Sequence, residues 1–165
     1  MISIVPITAR NFLVFKAVRL RALQDSPFAF GSTYARESEF TDEEWLRRAE
    51  NWNGVTGVGF LAMDENTPCG IVGSFLDESD RTQARLVSMW TAPTHRMLGV
   101  GALLVRAAEN WARGAGASTM SLMVTSNNQS AQLFYERLGF TFTGAREPWP
   151  NDPAFFEHEM SRRLL

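Results

Sequence analysis

The stretch Pro93-Thr94-His95-Arg96-Met97-Leu98-Gly99-Val100-Gly101-Ala102 joins two glycines and an arginine to the start of an apolar run. A strand that stops at proline, turns through glycine and opens a helix leaves first-turn N–H groups without partners, at the positive end of the helix dipole. Glycine lets an anion approach that backbone and Arg96 adds positive charge, so the stretch suits a pyrophosphate. It equally suits a plain strand–helix turn in which glycine takes φ > 0. It is not a dinucleotide fingerprint, because Gly99-Val100-Gly101 lacks the third glycine, and no Gly-Lys-Ser/Thr makes it a Walker loop. Tyr135 offers a phenol that can act as a general acid or face a core from an amphipathic helix. His95 and His158 lack partners at ligand spacing, so no metal site is expected. Cys69, the single cysteine, excludes an internal disulfide and has no visible activating neighbour. No Ser/His/Asp arrangement is evident.

These residues need a scaffold. Residues 2–7 read as a strand, and Thr8 caps a helix that presents Phe12, Phe15, Arg19 and Ala22 to a core. Ser26-Pro27 stops it, residues 28–34 form an aromatic loop, and Thr41-Asp42-Glu43-Glu44 is a capping box opening a second helix. Strands follow over 56–63, 69–76 and 84–91, with turns at 64–68 and 77–82. A helix over 99–113 ends at Gly114-Ala115-Gly116, and a strand over 119–125 comes next. Ser126-Asn127-Asn128-Gln129 has capping-box spacing and opens a helix closed by Gly139. Strands over 140–143 and 155–160 finish the chain, separated by a proline-rich loop. The order β-α-α-βββ-α-β-α-ββ implies a mixed α/β (α+β) sheet with helices on both faces.

Two motifs then carry a resemblance. Arg96-x-x-Gly99-x-Gly101 after a strand ending in proline resembles the acetyl-CoA motif of the GCN5-related N-acetyltransferases (GNAT superfamily). Asn128-x-x-Ala131-x-x-x-Tyr135-x-x-x-Gly139-Phe140 is similar to that family's second motif, in the right order and with a strand between them. The resemblance implies one N-acetyltransferase domain over residues 1–165. It implies a mostly antiparallel sheet of six to seven strands whose central parallel pair, 84–91 and 119–125, splays apart to admit acetyl-CoA. By the same resemblance, Met89, Trp90 and Thr91 pair with the pantetheine arm. Arg96, Met97, Leu98, Gly99, Val100, Gly101 and Ala102 wrap the pyrophosphate. Asn128, with Ala131 in the same motif, holds the pantetheine arm, and Tyr135 protonates the departing thiolate. Residues 26–34 resemble the acceptor-side segment of a bacterial branch, which points Phe28, Phe30 and Tyr34 at the acceptor.

An amine attacks a thioester only when neutral. A lysine side chain is neutral at pH 7 in roughly one molecule in a few thousand, an α-amino group in about a tenth. Some members of the family place a glutamate between the motifs as base, in Leu-Glu-Val; this chain reads Leu122-Met123-Val124, and Met123 accepts no proton. Glu37 is the leading replacement, with Glu39, Asp77 and Glu78 beside it. The expected reaction is direct transfer from acetyl-CoA to a primary amine in a ternary complex, a small-molecule acceptor being favoured over a peptide or protein. A non-catalytic module that binds or senses coenzyme A is the alternative, and Met123 is its support. Trp149 and Phe155 either cover the acceptor pocket or join a homodimer partner. A net charge of −2 opposes a nucleic-acid-coating surface, and no apolar run approaches the roughly 18 residues that span a bilayer. Neither nucleic acid nor membrane is an expected partner, and the cytoplasm is the expected compartment.

Overall fold

The computed structural model describes residues 1–164. Its elements are β1 (Ile2–Pro6), α1 (Phe12–Asp25), α2 (Tyr34–Glu37), α3 (Asp42–Asn51), β2 (Gly57–Asp64), β3 (Thr67–Leu76), β4 (Gln83–Thr91), α4 (Val100–Gly114), β5 (Thr119–Thr125), α5 (Gln129–Arg137), β6 (Thr141–Pro148) and β7 (Phe156–Arg163). They form one seven-stranded sheet in the order β1-β2-β3-β4-β5-β7-β6. Every neighbouring pair is antiparallel except β4–β5. The expected α/β sheet with one parallel pair is therefore present.

Helices cover both faces. Trp90 of β4 sits opposite Ile71 and meets Asp25 and Arg21 of α1. Gly70, one residue before Ile71 and so on the other face, takes Leu104 of α4. A Cβ at Gly70 would lie 2.8 Å from the Leu104 side chain, so glycine is what lets α4 settle on β3. The core runs through Leu61, Ile71, Val72, Leu104, Val105, Met120 and Met160.

Local sequence explains the element ends, with some departures from expectation. Thr8 caps a short 3₁₀ turn, Ala9–Asn11, rather than α1 itself, and Asn11 returns a hydrogen bond to the Thr8 N–H. The aromatic loop at 28–34 is entered through a 3₁₀ turn, Pro27–Ala29, and runs into the short α2, whose cap is Thr33. Thr41 caps α3 through the Glu44 N–H at 3.2 Å, with three acids in its first turn. The β2–β3 turn is tighter than 64–68: Asp64 already pairs with Thr67, and Glu65 takes φ +54°. The helix after β5 is capped by Asn128, not Ser126, because the Asn128 side chain accepts from the Ala131 N–H. β6 and β7 extend beyond the expected strands. β6 carries Gly144, Arg146 and Glu147 where no hydrophobic alternation marks a strand, and it is held by pairing to β7.

Candidate active site

β4 and β5 pair only at Gln83–Thr119, Ala84–Met120 and Arg85–Ser121; beyond these they diverge. A bulge explains the divergence. Against β3, Ile71 opposes Trp90 but Gly73 opposes Val87, and Ser88 takes φ +58°. The Arg19 guanidinium holds that bulge by donating to the Ser88 hydroxyl at 3.3 Å. A cleft of about 1060 Å³ opens between the strands. Met89, Trp90 and Thr91, the start of α4, the α5 cap Asn128, and Ala131 and Tyr135 of α5 line it, together with Phe28, Phe30, Trp149 and Glu157. Of the residues singled out in the sequence, Leu98, Tyr34, Glu37, Glu39, Asp77, Glu78 and Phe155 are not among those lining it.

At the α4 turn the groups presented are backbone amides. Met97 (φ +64°) and Gly99 (φ +85°) are both left-handed, which turns successive N–H groups the same way. Among the described residues, no amide from Arg96 to Ala102 donates to a protein acceptor; the first that does is Leu103, to the Gly99 carbonyl. A non-glycine residue in this conformation costs about 1–2 kcal/mol, so Met97 stores strain at the turn. Its side chain and that of Leu98 point to solvent, leaving only their backbone to act. The two glycines differ. A Cβ at Gly99 would meet open space, so conformation demands that glycine; a Cβ at Gly101 would fall 2.9 Å from the Phe134 ring, so packing demands this one.

The Arg96 side chain is engaged by protein groups, while its amide stays among the unpartnered ones. Its guanidinium pairs with Asp25 and donates to the Thr91 carbonyl at 3.0 Å, tying the end of α1 to the end of β4. Asp25 also accepts from the Trp90 indole at 3.0 Å. Burial alone would raise its carboxyl, but hydrogen bonds from Trp90, Ser26 and Arg96 hold it below the usual range.

Tyr135 is 8% exposed and packs edge-on against Phe134 at 5.1 Å and Phe140 at 5.8 Å. Among the described residues its hydroxyl has no hydrogen-bond partner. Burial pushes the phenol well above its ordinary range, so it keeps its proton at neutral pH. Asn128 spends its Oδ1 on capping α5, which leaves its Nδ2 free to donate.

The far side is aromatic and anionic. Phe28 packs on Trp149 at 5.5 Å and on Phe155 at 6.1 Å. The Thr125 hydroxyl donates to the Phe28 carbonyl at 2.7 Å, and the Trp149 indole and Asn151 amide donate to the Phe30 carbonyl at 3.1 Å. The turn at Pro27–Ala29 is thus pinned across the end of β5 and the β6–β7 connection.

The acids named from sequence do not stand in the cleft. Glu37 is 2% exposed and accepts from Arg19 Nε and Nη2, each at 3.0 Å, and from Arg48 at 2.8 Å. Burial alone would raise its carboxyl, but the Arg19 contacts, helped by Ser32 and Arg48, bring it down to about 2. A carboxylate so satisfied is a poor proton acceptor; it locks α1, α2 and α3 together, which corrects the expectation that it acts as base. Asp77 is held at about 2 by Ser79 and Arg85, and Glu39 and Glu78 are exposed outside the cleft. The carboxylates that do line it are Glu147, Glu157 and Glu159 from β6 and β7. Sequence spacing gave no sign of them, because their place depends on how β7 pairs with β5. Among the described residues no His/Cys/Asp/Glu group could hold a metal ion, and no helix is long and apolar enough to cross a membrane.

The sequence matches the acetyltransferase (GNAT) family over residues 18–140. It is 46% identical over 59 residues to acetyl transferase GW6a of Oryza sativa subsp. japonica, covering 34% of this chain and 14% of that protein. It is 45% identical over 53 residues to streptothricin acetyltransferase of Streptomyces lavendulae, covering 32% of this chain and 28% of that protein. The chain thus matches well under a third of either relative's length. Its fold is similar to that of yncA from Salmonella typhimurium, solved with its cofactor acetyl-CoA, with a TM-score of 0.80, 16% identity, and coverage of 100% of this chain and 95% of that one. The family match spans both motifs and most of the sheet, and the chain belongs to the acetyltransferase (GNAT) family.

Proposed function

We propose that this chain, as a single N-acetyltransferase domain, moves the acetyl group of acetyl-CoA directly to a primary amine. The observation that carries the reading is the run of unpartnered amides from Arg96 to Ala102 in the same cleft as the protonated phenol of Tyr135. Such amides at a helix start suit a pyrophosphate, and the yncA structure, of the same fold, contains acetyl-CoA. In this reading the Met89–Thr91 edge of β4, freed by the divergence from β5, and the Asn128 Nδ2 hold the pantetheine arm. The N–H groups of Arg96 to Ala102 take the phosphates. The Tyr135 phenol, the buried donor beside the sulfur, gives its proton to the departing thiolate. No covalent enzyme intermediate is needed, because the cleft holds no nucleophilic serine–histidine or cysteine–histidine arrangement among the described residues.

A small amine is the favoured acceptor. Phe28, Phe30 and Trp149 wall the far side of the cleft, which suits a compact molecule with an apolar portion beside its amine. The similarity to streptothricin acetyltransferase supports the same class. The rival, a module that binds coenzyme A without turnover, is favoured by Met123 and by the engagement of Glu37 with two arginines. Free-thiol release from acetyl-CoA with polyamines, amino acids, antibiotics and peptides separates the two. Amine-dependent release is expected; saturable coenzyme A binding with no release from any amine supports the rival.

A further inference from the structure

The expected reaction removes a proton from an ammonium group, yet neither Met123 nor Glu37 can take it. The register of the sheet offers another group. Across the β5–β7 ladder Met123 stands opposite Glu159 and Thr125 opposite Glu157. Directly opposed residues share a face, so both carboxylates lie on the face of the sheet that carries Met123. That face carries α1 and the turn after it, because the Thr125 hydroxyl reaches the Phe28 carbonyl. Tyr135 belongs to α5, whose Phe134 packs on the first turn of α4, on the opposite face. The gap between β4 and β5 joins the two sides, and both Tyr135 and Glu157 line it.

The two β7 carboxylates are not equivalent. Glu159 is committed: it accepts from Arg85 at 3.1 Å and from the Thr143 hydroxyl at 2.9 Å, and Arg85 also pairs with Asp77. Glu157 has no side-chain hydrogen bond or ion pair among the described residues. Its cross-strand neighbour on β6 is Glu147, another carboxylate facing the cleft. The nearby cations are spoken for or turned away. Arg19 is held by Glu37, and Arg85 by Asp77 and Glu159. Arg146 and His158 pair on the other face of β6–β7. Arg137 of α5 lines the cleft from the α4 side, as Tyr135 does.

We propose that Glu157 is the catalytic residue that takes the proton from the acceptor amine, supplying from the neighbouring strand the carboxylate that Met123 lacks. This rests on the acetyl-transfer reading above. The ammonium gives one proton to Glu157, and the freed lone pair forms the C–N bond at the acetyl carbonyl carbon. The C–S bond breaks, its electron pair goes to sulfur, and Tyr135 protonates the thiolate. The nitrogen's second surplus proton restores the phenol, and Glu157 releases its own to water. The surroundings suit the task. Burial, reinforced by the negative charge of Glu147, raises the Glu157 carboxyl above its ordinary range, which makes it a stronger base nearer neutral pH. Glu147 also provides a second carboxylate to attract the incoming cation.

The test is the pH dependence of kcat/KM, measured by free-thiol release with spermidine, lysine and streptothricin as acceptors. The intact enzyme should level off once Glu157 is ionised. Glu157→Gln should lose about 100-fold at pH 7. Its activity should then climb about tenfold per pH unit until the amine deprotonates by itself, so that its deficit shrinks as pH rises. Calorimetric affinity for coenzyme A should be unchanged, which separates a chemical defect from a misfolded cleft. Glu147→Gln, an exposed change, should move the acid limb of the intact profile to lower pH. Wild-type kcat/KM and profile in Glu157→Gln, or an unmoved limb in Glu147→Gln, would overturn the assignment while leaving acetyl transfer intact. Failure of the unmutated protein with every amine, despite coenzyme A binding, would instead remove the acetyl-transfer reading itself.

Discussion

At the α4 turn the ligand-facing groups are amides fixed by one turn and one helix start; on the α1 side of the cleft they are side chains delivered by β6, β7 and the turn at Pro27–Ala29. The first side is made within about ten consecutive residues of chain. Its chemistry is the same whatever side chains stand at Met97 and Leu98, both of which point to solvent. The second side draws on residues more than a hundred positions apart, such as Phe30 and Trp149. A backbone-built surface suits a constant partner, a nucleotide diphosphate. A side-chain-built surface can change with few substitutions and suits a variable one, the amine. Between them sits a third group, Arg19, Glu37 and Arg48, which touches no ligand surface through its carboxylate but holds α1, α2 and α3 in place.

That division is broken most severely at Glu37. Replacing it with alanine leaves Arg19 without its carboxylate partner in the interior, and should cost about 3–5 kcal/mol in chemical denaturation. A small stability loss with abolished turnover would return Glu37 to the chemistry. The pH dependence has a definite sign. The folded carboxyl sits at about 2 against an ordinary 4.5, so its contribution is fully present above about pH 4.5 and drains away as pH falls toward 2. Glu37→Gln should flatten that part of the acid-denaturation curve. Next in size is Gly99→Asp, which sets a carboxylate against the free amides at α4 and should weaken coenzyme A binding by about 100-fold or more in calorimetry. Gly99→Asn sharpens the point: asparagine tolerates φ > 0 without charge, and should stay within about tenfold of the parent. Equal loss in both would mean that conformation, not charge, governs the site.

Legibility in the sequence follows the same line. The turn at Gly99 and the phenol at Tyr135 lie on local segments whose spacing fixes their geometry, so the motifs located them; capping-box spacing places the α5 cap two residues early, at Ser126 instead of Asn128. The succession of strands and helices followed from periodicity and turn signals, but the place of β7 between β5 and β6 in the sheet did not. Glu157 was invisible because its neighbourhood is set by a register to β5 across an intervening helix and strand. Glu37 misled for a related reason. Its position after an aromatic loop is apparent, but its bidentate pairing with Arg19, eighteen residues earlier, exists only once α1 and α2 pack. Arg96 shows the limit of motif reading even where the motif is right: its backbone lies at the free amides, while its side chain serves Asp25.

The remaining two changes separate the sides of the cleft cleanly. Tyr135→Phe removes one oxygen from a packed ring and leaves the contacts to Phe134 and Phe140, so acetyl-CoA affinity should hold while kcat falls about 100-fold. An unchanged kcat would take the phenol out of the mechanism. The smallest effect belongs to Phe28→Ala. Phe28 is half exposed and braced by Trp149 and Phe155, so truncation opens the aromatic wall without emptying the core. Losing contact area of this kind costs about 1 kcal/mol, which predicts a KM for the acceptor roughly fivefold higher. Coenzyme A affinity should not move, because the amides at α4 and the edge of β4 owe nothing to this ring. A matching drop in coenzyme A affinity would show that the turn at Pro27–Ala29 supports both sides. The separation between a backbone-built half and a side-chain-built half would then be one of construction but not of energy.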